Sequence, residues 1–239
     1  MFTVDGIMRQ LEALGSEQTR KTFARHGIDA DTFGVKVGDL KKVAKTIKGE
    51  QALAEELFAS GTYDAMYLAG MVADGGQMSR SMLGRWARGA KWPAIASTAV
   101  AWVATESRWA DALATTWIRA KRERDLVATA GWTTLSGIVA TRADVDLDLT
   151  RLQGLLDEVQ ETLHAAPNRL RYVMNAFVIS VGCYVVPLSA AALTTAEAIG
   201  PVEVDMGDTA CQVPAAVAAI KKVAAMGRVG HKRKTIRCA

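Results

Sequence analysis

Asp144, Asp146 and Asp148 alternate along the chain, the spacing with which a calcium-binding loop opens. The pattern stops there. Leu149 stands where such a loop needs glycine and Leu155 where it needs glutamate, so these acids read as loop and helix-start residues. Asp205 and Asp208, in Val204-Asp205-Met206-Gly207-Asp208-Thr209, suit a turn or a cap on the last helix better than a cation site. His26, His164 and His231 are too scattered to suggest a shared metal. No phosphate-binding glycine loop, no H-E-x-x-H and no G-x-S-x-G occurs. No metal, no cofactor and no catalytic residue is therefore expected.

What remains is positive charge and aromatic surface. The net charge is +4, and no acidic residue follows Asp208. The tail instead carries Lys221, Lys222, Arg228, Lys232, Arg233, Lys234 and Arg237, leaving the rest of the chain mildly acidic. Arg119, Lys121, Arg122 and Arg124 cluster between two expected helices, and Arg169 and Arg171 open another. Such asymmetry suits a polyanion, nucleic acid being the commonest. A solvated loop or a frayed tail would give the same composition. Five of the six tryptophans fall between Trp86 and Trp117, and most sit on apolar stripes as core residues do. Trp92, just before Pro93, could instead face a groove and stack on a base or sugar.

The positioning elements are helices. Apolar residues recur at helical spacing in Val4-Ile7-Met8-Leu11-Leu14, in Val37-Leu40-Val43-Ala44-Ile47, in Leu149-Leu152-Leu155-Leu156-Val159-Leu163 and in Leu170-Val173-Met174-Phe177-Val178-Val181. Ser16 and Asn168 look like helix starts. Short connections favour antiparallel pairs, and the pair spacing is near that of HEAT-like repeats. The expected fold is all-α, an α-α superhelix with one concave face: residues 1–208 as the repeat domain, 209–239 as a C-terminal helix and basic tail packed on or extending from it. Tyr172 to Ala196 carries no charge, but Pro187 should break it into two buried helices, so no membrane span is expected. Charges throughout the first twenty-five residues argue against a secretory leader. Cys183, Cys211 and Cys238, odd in number and far apart, fit a reducing cytoplasmic compartment.

Phe33-Gly34-Val35-Lys36-Val37-Gly38-Asp39-Leu40-Lys41-Lys42 resembles a segment of the AlkD-like DNA alkylation repair family. Trp86 with Lys91-Trp92 is similar to that family's tryptophan-bearing helix start. Ala130-Gly131-Trp132 resembles its alanine-glycine-aromatic helix, and Asn175 with Gly182 its asparagine-bearing helix. The resemblance runs from about Phe33 to Ile199 and implies a HEAT-like solenoid that grips double-stranded or structured DNA. Active members excise cationic alkylpurines without a metal.

The resemblance also implies what this chain lacks. The family's catalytic aspartate, four residues after the tryptophan matched by Trp92, is Ala96 here. Its arginine before the alanine-glycine-aromatic step is Thr129; its tryptophan after the asparagine is Ala176; the arginine three residues on is Ile179. A carboxylate beside a sugar of oxocarbenium character is commonly worth ~2.7–4 kcal/mol, and alanine cannot supply it. The expectation is DNA binding without efficient base excision, through Trp92, Arg119, Lys121, Arg122, Arg124, Arg169, Arg171, Lys232, Arg233, Lys234 and Arg237. The alternatives are a metal-independent alkylpurine glycosylase using a different acid, or a protein-interaction scaffold.

Overall fold

The computed structural model describes residues 2–28, 31–121 and 125–237; Arg122, Arg124 and Cys238 lie outside them. The described residues form helices joined mostly by short loops, with a longer non-helical segment over 200–215 and no strand among them. They divide into two compact units.

The first unit holds the chain up to Leu113, with Met206–Ala210 and Arg237. Its helices are α1 (Val4–Leu14), α2 (Glu17–Arg25), α3 (Val37–Thr46), α4 (Gln51–Ala59), α5 (Tyr63–Val72), α6 (Arg80–Gly89) and α7 (Pro93–Ile95). A π-helical stretch, Ala96–Val100, carries α7 directly into α8 (Ala101–Glu106). α9 (Ala110–Trp117) begins in this unit. α5 is the core element: it is buried on nearly every side and packs on α1, α3, α4 and the π-helical stretch. Ile7 and Leu11 of α1, Leu40 and Val43 of α3, and Leu53 and Leu57 of α4 close the core. Each buried leucine or valine contributes about 1.5–3 kcal/mol.

The second unit holds Ala114–Asp205 and Cys211–Ile236. It contains α10 (Asp125–Thr141), α11 (Leu149–Thr162), α12 (Asn168–Tyr184), α13 (Ser189–Ile199) and α14 (Ala216–Ala225). α10 and α12 are its central pair, with Trp132 and Phe177 in ring contact at 5.2 Å. α13 and α14 pack on α12. The uncharged stretch is two helices, as Pro187 requires: α12 and the segment Val186–Ile199 meet at 115°. Among the described residues no single helix is long and apolar enough to cross a membrane.

Short-range chemistry sets the helix starts. Thr3, Ser16, Ser79 and Asp148 accept hydrogen bonds from Gly6, Thr19, Met82 and Arg151 amides at 3.2, 3.3, 3.2 and 2.9 Å, heading α1, α2, α6 and α11. Each cap satisfies an amide the helix cannot and contributes ~1 kcal/mol. The last helix differs from expectation. It begins at Ala216 without a side-chain cap. Asp205 instead joins Asn168 through its main chain, donating to Asn168 Oδ1 at 2.7 Å and accepting from Nδ2 at 2.8 Å.

Candidate nucleic-acid interface

Trp92 opens α7, followed by proline at a position where a missing amide hydrogen costs nothing. The indole is only 8% exposed. Tyr63 meets it edge-on at 5.4 Å and itself packs against Phe23 at 5.1 Å. Burial, then the neighbouring Asp64 charge, pushes the Tyr63 phenol well above its ordinary value. The Lys91 ammonium sits 5.7 Å from the Trp92 ring centroid and pairs with Asp31 at 2.9 Å. The residue singled out for stacking is thus a wall of the first unit's core, with little face open to a base.

Asp64 organises the segment on which the family resemblance begins. It is fully buried, and its carboxylate accepts from Thr32 Oγ1 at 2.8 Å, the Phe33 amide at 2.7 Å and the Val35 amide at 2.8 Å. Gly34, between those amides, has φ 76° and lies against the Ser16 carbonyl and Arg20, so a side chain there would be strained and crowded. Phe33-Gly34-Val35 is therefore a clamped loop, held by one internal charge.

Ala96, where the resemblance places the family's acid, lies on the π-helical stretch, a local irregularity often found at functional sites. Ala96 is fully buried. Its neighbours Ser97 and Thr98 donate their hydroxyl hydrogens back to the Pro93 and Ala94 carbonyls, at 2.8 and 2.6 Å. No Asp or Glu occurs between Asp74 and Glu106, so no slip of alignment along this helix brings a carboxylate to the site. Glu106, at the end of α8, is held by Arg237. Asp64, beside Tyr63, is saturated by the loop.

The other replaced positions are also accounted for. Thr129 is buried, and its hydroxyl has no partner among the described residues. Ala176 and Ile179 are half-buried on α12. Asn175 is buried and donates to the Pro214 carbonyl at 2.9 Å, which ties α12 to the segment before α14.

The described cationic candidates fall into three groups. Arg119, Lys232 and Arg237 each pair with a carboxylate, Arg119 while its side chain stays 58% exposed. Arg119 forms a two-pronged pair with Glu158, one prong at 2.7 Å, which raises its pKa further. Lys232 pairs with Asp144 at 2.7 Å and donates to the Val139 carbonyl at 2.8 Å. Arg237 donates to the Gly70, Met71 and Ala73 carbonyls at 3.0, 3.1 and 2.7 Å, capping the end of α5, and to Glu106. Lys121, Arg233 and Lys234 are exposed. Arg169 and Arg171 are half-buried at the head of α12, and Arg171 reaches Asn168 at 3.4 Å. The tail is no loose arm. The Gly230 amide donates to the Cys183 carbonyl at 3.0 Å and the Arg233 amide to the Ala140 carbonyl at 2.7 Å. Among the described residues no three His, Cys, Asp or Glu side chains gather into a metal-holding group. Sequence reasoning missed Asp64, because its partners lie 29 to 32 positions away.

Comparison with known proteins gives this geometry its context. Residues 7–199 match the family model described as DNA alkylation repair enzyme. An uncharacterized protein of Listeria monocytogenes and one of Listeria innocua are each 32% identical over 228 residues, covering 93% of this chain and 97% of theirs. A solved structure aligns with a TM-score of 0.89 and 37% identity, over 99% of this chain and 100% of that one. It is described as belonging to a new family of proteins related to the HEAT-like repeat DNA glycosylases, with affinity for branched DNA structures.

Proposed function

The chain belongs to the DNA alkylation repair enzyme family and has its HEAT-like helical-repeat fold, and on that footing we propose that it binds branched DNA without excising bases. The observation that carries the second half is Ala96: a buried methyl group where the resemblance places the acid, on a helix with no carboxylate before Glu106. A developing oxocarbenium ion has no anion to meet there. The first half rests on likeness to the branched-DNA binder over essentially the whole of both chains.

Phosphate contacts in this reading come from cations that no internal carboxylate claims. Lys121, Arg233 and Lys234 are exposed in the second unit. Arg119, Lys232 and Arg237 are each paired with a carboxylate. The test is titration of four-way junction, three-way junction and linear duplex of equal length by fluorescence anisotropy, across a series of salt concentrations, beside a base-release assay on alkylated duplex. Tighter binding to junctions, a steep fall with salt and no base released are expected. Absence of binding at the lowest salt refutes the binding half. Release of methylated base in proportion to enzyme refutes the other and revives the glycosylase alternative.

A further inference from the structure

We propose that the outer face of α6 is a second DNA-backbone contact, made by Arg80, Arg85 and Arg88; this deepens the branched-DNA reading and rests on it. These three residues are exposed, and among the described residues no hydrogen bond or ion pair engages them. In sequence they are separate from Arg119–Arg124, Arg169–Arg171 and the basic tail.

The segment is unusual in sequence. From Gly75 to Thr105 there is no acidic residue, while Arg80, Arg85, Arg88 and Lys91 fall within it. An exposed structural helix normally balances its arginines with acids three or four residues away. α6 has none of its own: Glu55 and Glu56 of α4 line the same concavity as Arg85 without an ion pair to it, and the first turn of α6 places Arg80 against the positive end of the helix dipole without an acidic residue on the helix to offset it. Stability alone does not favour that arrangement; an external anion does.

The geometry suits a backbone. At 3.6 residues per turn the three arginines fall within about 140° of the helix circumference, and the buried Leu83 and Trp86 lie on the other side. Arg80 and Arg88 are about 12 Å apart along the axis, the length over which one DNA strand presents roughly three to four phosphates. The Arg88 guanidinium lies over Gly84, where even a methyl group would sit 3.2 Å from it, so it rests low on the helix surface. Beneath this face the helix is rigid: Trp86 stacks on Phe58 of α4 at 4.0 Å and 7°. Guanidinium groups match phosphate oxygens with two parallel hydrogen bonds, which suits arginine over lysine here. A branched molecule offers more than one duplex arm, and a protein that prefers branches needs a backbone contact beyond those that serve a single arm.

The test compares three variants in junction binding across salt: Arg80→Gln/Arg85→Gln/Arg88→Gln, the same three positions changed to Lys, and a charge-matched control, Lys45→Gln/Lys48→Gln/Lys222→Gln, whose lysines are exposed. Each phosphate neutralised by a protein cation contributes about 0.9 to the slope of log affinity against log salt. The glutamine variant should drop about 2–3 from its slope and bind at least ~10-fold more weakly at about 0.1 M salt. The lysine variant should keep most of the slope, and circular dichroism and melting temperature should match wild type in both. The control should change less than half as much. Wild-type binding with an unchanged slope in the glutamine variant, or an equal fall in the control, overturns this inference and leaves the proposed function standing. Absence of wild-type binding overturns both.

Discussion

Placing an acid at Ala96, where the resemblance puts the family's catalytic aspartate, tests whether that position is a site. In Ala96→Asp the new carboxylate would lie where the present methyl group is fully buried, on the π-helical stretch packed against α5 and α6. Ser97 and Thr98 cannot pair with it without giving up their own carbonyl partners. A buried, unpaired carboxyl escapes its charge by holding a proton. Keeping an aspartic acid of ordinary pKa about 3.9 neutral at pH 7 costs ~1.36 kcal/mol per pH unit, or about 4 kcal/mol. Overpacking adds ~1–2 kcal/mol. A total of about 5–6 kcal/mol corresponds to a melting temperature lower by roughly 10–20 °C in a chain of this size. The sign with pH is fixed. The folded pKa is raised, so the stability it links is complete below the unfolded value near 4 and is lost as pH rises towards the folded one. The deficit against wild type should therefore shrink by about 2–3 kcal/mol between pH 7 and pH 5. Urea denaturation at both pH values measures it, and base release from alkylated duplex is scored in parallel. A variant as stable as wild type at pH 7, or one that releases base, would show an open, solvated site and refute this reasoning.

Three further outcomes concern the internal ties of the first unit. Asp64→Ala orphans the part-buried Phe33 amide and the buried Val35 amide and should cost about 3–5 kcal/mol in urea denaturation, with Asp64→Asn between it and wild type; a loss under about 1 kcal/mol would mean the loop holds without its clamp. Arg237→Ala removes the cap on the end of α5 and the ion pair to Glu106, and should cost about 2–3 kcal/mol, Glu106 being only partly buried; unchanged stability would show the tail to be dispensable. Tyr63 holds its proton more tightly when folded, so the linked stability is intact below about pH 10 and lost above it; the melting temperature of wild type should fall more steeply than that of Tyr63→Phe between about pH 10 and 11.5, and parallel curves would exclude the effect.

The helical architecture was legible because it is written at short range. Stripes such as Leu149 to Leu163 state a period of 3.6, Ser16 caps its helix by an atom three residues away, and Pro187 breaks the uncharged run where α12 gives way to α13. Trp86, Trp92, Trp102 and Trp117 are core residues, as most of the tryptophan stripe suggested, and Trp92 joins them instead of standing apart. Asp205 could not be placed from sequence, since its partner Asn168 lies 37 positions away.

Charge is where sequence reasoning and structure part, for a physical reason. A count of lysines and arginines measures the field far from the protein, but whether a given cation meets a ligand depends on the nearest carboxylate in space. Arg237 finds Glu106 across 131 positions and Lys232 the Val139 carbonyl across 93, so the acid-free tail, the clearest basic signal in composition, is partly consumed by the fold. α6 is the converse case: its net charge is modest, yet among the described residues its arginines keep no internal partner. A cation already paired has exchanged its hydration for a carboxylate, and a phosphate must displace that partner to gain it. An unpaired exposed guanidinium has only water and counterions to release, which is the step that drives nucleic-acid binding. Affinity for DNA should therefore follow the unpartnered arginines of α6 more closely than the paired residues Arg119, Lys232 and Arg237, whatever their density along the sequence.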